Sequence, residues 1–162
     1  MRASARDNPL LHDLADFSAG VLLDCAFLRV QPVDDWGALV GDVLHAVVDV
    51  EGSPPARLML SAPQELTLRF ACDSLGGSPS ELELLAHSGG ALAELANALA
   101  FALVDRYLDE AHYIGLPSLH RGLPAPAPEP EARTYAATLL VDAQSPLRVT
   151  WCIKPRRECR LG

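Results

Sequence analysis

Apolar residues recur at helical spacing in the first stretch of the chain, at Leu10, Leu14, Phe17, Val21 and Leu22. Asn8 is suited to cap the free amides of such a helix, and Pro9 to occupy its first position. A helix is therefore predicted from Pro9 to near Cys25. The pattern then changes. Residues 27–33 alternate weakly, and 39–50 are dominated by Leu and Val. Glu51-Gly52-Ser53-Pro54-Pro55 is a strong turn signal, and Ala56 to Leu60 reads as the returning strand of a hairpin. Pro63 starts a second predicted helix that stops at Gly76-Gly77. Ser78 with Glu81 forms a capping-box pattern, so a long helical stretch is predicted from there to about His112. Gly89-Gly90 marks a point at which that helix is expected to break in two.

Residues 116–130 carry Pro117, Pro124, Pro126, Pro128 and Pro130, and the Ala-Pro/Glu-Pro alternation of the second half favours an extended surface loop. Two strands then close the chain. Tyr135, Ala137, Leu139 and Val141 alternate in the first, and Leu147, Val149, Trp151 and Ile153 in the second. The order of elements predicts an α+β fold, a mainly antiparallel mixed sheet with long helices packed on it. We expect one domain over 1–162, with a Pro-rich surface loop at 123–133 and a tail at 155–162.

Composition narrows the function. The chain has 162 residues, 49% of them hydrophobic, and a net charge of -8. That is enough apolar sequence for a real core. The acidic balance argues against a phosphate-neutralising nucleic-acid binder. The one basic cluster, Lys154, Arg156, Arg157 and Arg160, lies at the C-terminal end and reads as a solvated tail. No apolar run approaches the roughly 20 residues needed to span a bilayer. No signal-peptide core follows the N-terminus, so a cytoplasmic location is expected. Cys25, Cys72, Cys152 and Cys159 form no C-x-x-C pair, and Cys25 and Cys72 sit among apolar residues that predict buried thiols. The histidines at 12, 45, 87, 112 and 120 are scattered and read as surface or helix-end residues, so no metal site is expected in this chain.

The segment Ala91 to Leu103 carries most of the functional signal. At 100° per residue, Leu92, Leu95, Ala96, Leu99 and Leu103 form one stripe, suited to pack on the sheet. Gly90, Glu94, Asn97 and Phe101 fall on the opposite side, with the small residues Ala93 and Ala98 beside them. Glu94 and Asn97 are one turn apart and are neighbours on the surface. Spacing alone allows an ordinary solvated face. Asn is a poor mid-helix residue, however, and an exposed Phe101 beside small residues suits a docking surface.

These pieces, in this order, resemble the CheX-like chemotaxis phosphatase family, which includes CheC and CheX. Asn8-Pro9-Leu10 resembles its opening. Gly41-Asp42-Val43 through Arg57-Leu58-Met59-Leu60-Ser61 resembles its hydrophobic hairpin. Glu94-Leu95-Ala96-Asn97 resembles its Glu-x-x-Asn helix, and Gly115-Leu116-Pro117 with Gly122 the segment that follows. The resemblance implies a phosphatase acting on the phospho-aspartate of a CheY-type response regulator. Asn97 would orient the attacking water, and Glu94 would pair with a regulator lysine. Gly90, Ala93, Ala98 and Phe101 would form the partner-binding face. The divalent metal, Mg, would belong to the regulator, with no cofactor in this chain. The resemblance also implies a homodimer, for which the strand at 147–153 is the expected interface.

Three features depart from the family pattern, one of them that the proline after the signature helix, Pro117, comes a few residues early. Gly90 stands where an Asp or Ser is usual, and Phe101 where a small residue is usual. The alternative reading is therefore a non-catalytic CheX-like dimerisation or adaptor module that binds a signalling partner. A small-ligand binding module is the remaining reading.

Overall fold

The computed structural model describes residues 9–26, 28–34, 36–108, 111–122, 127 and 130–155. The side chains of residues 9–12 are excepted. The Asn8 cap, most of the Pro-rich run at 123–129 and the tail beyond Pro155 lie outside the described residues.

Among the described residues, seven strands form one antiparallel sheet, and three helices lie on it. In chain order the elements are α1 (Pro9–Ala26), β1 (Val30–Val33), β2 (Val43–Glu51) and β3 (Ala56–Pro63). Then come α2 (Gln64–Leu75), α3 (Glu81–Tyr107), β4 (Tyr113–Ile114), β5 (Ser118–Arg121), β6 (Arg133–Val141) and β7 (Ser145–Ile153). The sheet order is β1-β6-β7-β3-β2-β4, and β5 also pairs with β2. The predicted α+β class and antiparallel sheet are what the chain adopts.

Alternation in the strands builds the core. Leu44, Ala46, Val48 and Val50 of β2 point to one face, with Leu58 and Leu60 of β3, Leu139 of β6, and Leu147, Val149 and Trp151 of β7. That face meets the helices, whose contribution includes Leu14, Leu22, Leu66, Phe70, Leu92, Leu99 and Leu103. Burying one such side chain contributes about 1.5–3 kcal/mol. α1 packs over β6, α3 over β2, and α2 against α3.

Four local expectations are corrected. First, α3 starts one frame later than Ser78 suggests. Ser80 is the cap: its Oγ accepts from the Glu83 amide (3.2 Å), and the Ser80 amide donates to Glu83 Oε2 (2.7 Å). The sequence holds two overlapping Ser-x-x-Glu frames, and reciprocal bonding forms in the second. Second, α3 is unbroken through Gly89-Gly90 over 27 residues. Ser88 and Leu92, on either side of the pair, are both buried, and this tertiary packing outweighs the two glycines' low helix propensity. Gly89 has a packing reason of its own, because a Cβ there would lie 2.7 Å from Leu119 Cδ1. Third, a strand not anticipated from the sequence precedes the expected surface loop: β5 pairs Leu44–Val47 with Ser118–Arg121. Fourth, β7 is not an edge. It is paired on both sides, by β6 and β3, so it has no free edge with which to pair across a symmetric interface. The outer strands are β1 on one side, and β4 and β5 on the other.

Candidate functional site

The capping box at Ser80 and two acids in the first turn, Glu81 and Glu83, fix where α3 begins. From there the helical period decides which residues face the sheet. Leu92, Ala96, Leu99, Ala100 and Leu103 are fully buried, and Leu95 is partly so. The opposite side is presented outward. Gly90 and Glu94 are exposed, Asn97, Ala93 and Ala98 are partly exposed, and Phe101 is 58% exposed.

The orientation of α3 is fixed at its far end by α1. Tyr107 donates to Asp13 Oδ2 (2.7 Å), and Arg106 donates to Asp13 Oδ1 (3.3 Å). Arg106 also lies 5.6 Å above the ring of Phe17, which meets Tyr107 edge-on. The Tyr107 hydroxyl holds the Asp13 carboxyl below its ordinary range, with Arg106 adding to the effect against some burial. Burial and then Asp13 push the Tyr107 hydroxyl up, so it stays a proton donor.

Among the described residues, neither Glu94 nor Asn97 has a hydrogen-bond or ion-pair partner for its side chain. An acid and an amide one turn apart therefore project from a rigid helix with their bonding capacity unused. Nothing lies within 4 Å of a Cβ at Gly90, so the helix surface there is open.

Glu94 and Ala98 also line a groove of ≈ 350 Å³ between α3, α2 and the end of α1. Its floor is apolar, with Phe70, Leu95, Ala91 and Leu28, and its other polar residues are Asp73, Ser74 and Cys25. Asn97, Gly90, Ala93 and Phe101 do not line it. The structure thus brings Glu94 and Ala98 together with residues the sequence reading did not single out. Cys25 and Cys72 are exposed, contrary to expectation, because they sit in the last turns of α1 and α2 where those helices leave the core; Cys152 is buried. His45 is likewise not a surface residue but is 1% exposed. Its Nε2 donates to the Gly122 carbonyl (2.9 Å) and its Nδ1 accepts from the Ser61 hydroxyl (2.7 Å). Those bonds tie β5 to the β2–β3 hairpin.

Among the described residues, no group of three or more His, Cys, Asp or Glu is placed to hold a metal ion. No described helix is long and apolar enough to cross a membrane.

The architecture is that of the CheX and CheC-like chemotaxis proteins. The chain is similar to CheX of Borrelia burgdorferi, solved in a CheX–CheY–BeF3–Mg2+ complex, at a TM-score of 0.68 and 14% identity, covering 88% of this chain and 96% of that one. It is similar to CheX of Desulfovibrio desulfuricans at 0.66 and 13% identity, covering 91% of this chain and 100% of that one. A CheC-like chemotactic protein from Shewanella oneidensis aligns at 0.63 and 15% identity, covering 89% of this chain and 97% of that one. No protein-family model and no curated protein matches the sequence itself.

Proposed function

We propose that this protein dephosphorylates the phospho-aspartate of a CheY-type response regulator, with α3 as the docking helix and Asn97 as the residue that positions water. The observation that carries the reading is the Asn97 side chain, partly exposed and, among the described residues, without an intramolecular partner, on the outward face of α3. The fold adds support, since a structural neighbour is a CheX solved together with CheY.

Phosphoryl transfer needs mainly positioning and charge stabilisation. The regulator supplies the phosphoryl group and the divalent ion, Mg2+, that neutralises its oxygens. This chain supplies geometry. The Asn97 amide holds a water in line with the aspartyl-phosphate bond. As the water oxygen bonds to phosphorus, the phosphorus–aspartyl oxygen bond breaks, the aspartate is regenerated and inorganic phosphate leaves. An amide does not titrate near neutrality, so Asn97 orients the water and takes no proton from it. Glu94, one turn earlier, pairs with a regulator lysine and sets the docking register. Gly90, Ala93 and Ala98 let the backbone approach, and Phe101 supplies apolar contact.

The test is the decay of a CheY-type regulator phosphorylated on its aspartate, with this protein and with its Asn97→Ala variant. Acceleration by the native chain and not by the variant supports the reading. Absence of acceleration with regulators of the same organism sinks it.

The exposure of Phe101 favours a second reading, a non-catalytic adaptor that uses the same face to hold a signalling partner. In that case the protein binds a regulator without shortening the life of its phosphate, and Asn97→Ala changes nothing.

A further inference from the structure

The groove beside Glu94 has a consistent electrostatic sign. α2 contributes Asp73 and α3 contributes Glu94, and none of the described residues lining the groove is basic. Two helices also end there. Cys25 and Ala26 close α1, and Asp73 and Ser74 lie in the last turn of α2; neither helix has a basic residue in its last turn. Helix C-termini carry partial negative charge and attract cations. One carbonyl at each end is satisfied internally, Leu22 by the Leu28 amide and Cys72 by the Gly76 amide. Among the described residues, no basic side chain lines the groove or lies in the last turn of either helix. Beneath this rim lie Phe70, Leu95, Ala91 and Ala98, an apolar floor suited to the stem of a long side chain.

We infer that this groove receives a lysine or arginine side chain of the partner regulator, with Asp73 as its principal determinant. The inference rests on the proposed regulator reading and extends the docking surface from α3 onto α2 and the end of α1. The occupant's chemistry follows from the site: a cationic head between carboxylates and helix ends, and an aliphatic stem over Phe70 and Leu95. It places a second basic contact beside the lysine assigned to Glu94 and makes α2 a specificity element.

The test uses the full chain and a CheY-type regulator activated with beryllofluoride and Mg2+, so that binding is read without turnover. Asp73→Asn is expected to raise Kd about fivefold and to reduce its dependence on salt, as for a partly screened ion pair. Glu51→Gln removes the same charge far from the groove, at the end of β2, and should leave Kd unchanged. In the native chain, bound regulator should slow alkylation of Cys25 by iodoacetamide while Cys72, exposed but outside the groove, reacts as before. Unchanged affinity in Asp73→Asn, or an unprotected Cys25, overturns the groove assignment while leaving the regulator reading in place. Failure of the native chain to bind any activated regulator overturns the regulator reading, and the groove assignment with it.

Discussion

Leu92, Ala96, Leu99 and Leu103 on one side of α3 are fully buried, whereas Gly90, Glu94 and Phe101 on the other side are exposed and Asn97 is partly so. The inner set explains itself through the core. The outer set does not. Gly costs about 1 kcal/mol relative to Ala inside a helix, and Asn costs up to about 0.7 kcal/mol. Among the described residues, neither Glu94 nor Asn97 recovers anything through an intramolecular bond. The outer residues are therefore present despite their effect on stability, which is the physical argument that they serve another molecule. The two faces should respond to mutation in opposite ways.

The largest effect is expected on the inner face. Leu99→Ala removes a fully buried side chain between α3 and the sheet and should destabilise the fold by about 3 kcal/mol in urea unfolding. A loss below about 1 kcal/mol would mean that α3 is not seated on the sheet as described. On the outer face, Asn97→Ala should lower dephosphorylation about 100-fold, equivalent to about 2.7 kcal/mol in the barrier. The same variant should leave stability unchanged or raise it slightly, because Ala is the better helix former. A clear fall in Tm would place Asn97 in the fold and break the contrast between the faces.

Gly90→Ala sharpens the contrast further. A Cβ at residue 90 meets nothing within 4 Å, so the free protein should gain about 1 kcal/mol. If the regulator approaches this surface closely, the same methyl should weaken regulator binding. Gained stability with unaltered affinity would show that Gly90 is not part of the contact, and would move the docking face toward Glu94 and Phe101.

What could be read in the sequence follows from range. The inner stripe of α3 and the β2–β3 hairpin are set by local periodicity and by the turn at Glu51–Pro55, so both were legible. The strand β5 was not. Ser118-Leu119-His120-Arg121 is exposed throughout, shows no alternation and lies between prolines. Its pairing depends on distant residues, with Leu119 seated against Gly89 and Gly122 bound by His45. The same holds for the site. Glu94, Asn97 and Phe101 could be placed on one face from spacing alone. The groove could not, because Asp73 and Cys25 reach Glu94 only through the packing of three helices. The one local trace was the absence of a basic residue in the last turns of α1 and α2.

His45 offers the smallest and most specific test, because it is the polar residue that the fold itself uses, where Asn97 is one that it does not. Its ring is buried in β2, bonded to Ser61 on β3 and to the Gly122 carbonyl after β5, with His120 nearby on β5. Burial pushes its pKa below the ordinary value of 6.5; the Gly122 bond opposes that shift and the His120 charge adds to it. The unfolded chain therefore binds a proton at a higher pH than the folded chain does. The stabilisation is complete above about pH 6.5, declines as pH falls toward the folded-state pKa, and stops declining below it. The shifts at Asp13 and Glu83 act beneath their ordinary values of 3.8 and 4.5, below the range from pH 7.5 to 5.5 used to read His45. Urea midpoints should fall between pH 7.5 and 5.5 for the native chain, and His45→Asn should flatten that slope while lowering stability at pH 7.5. A slope that persists in the variant would assign the effect to another histidine and remove His45 as the clasp that holds β5 against the hairpin.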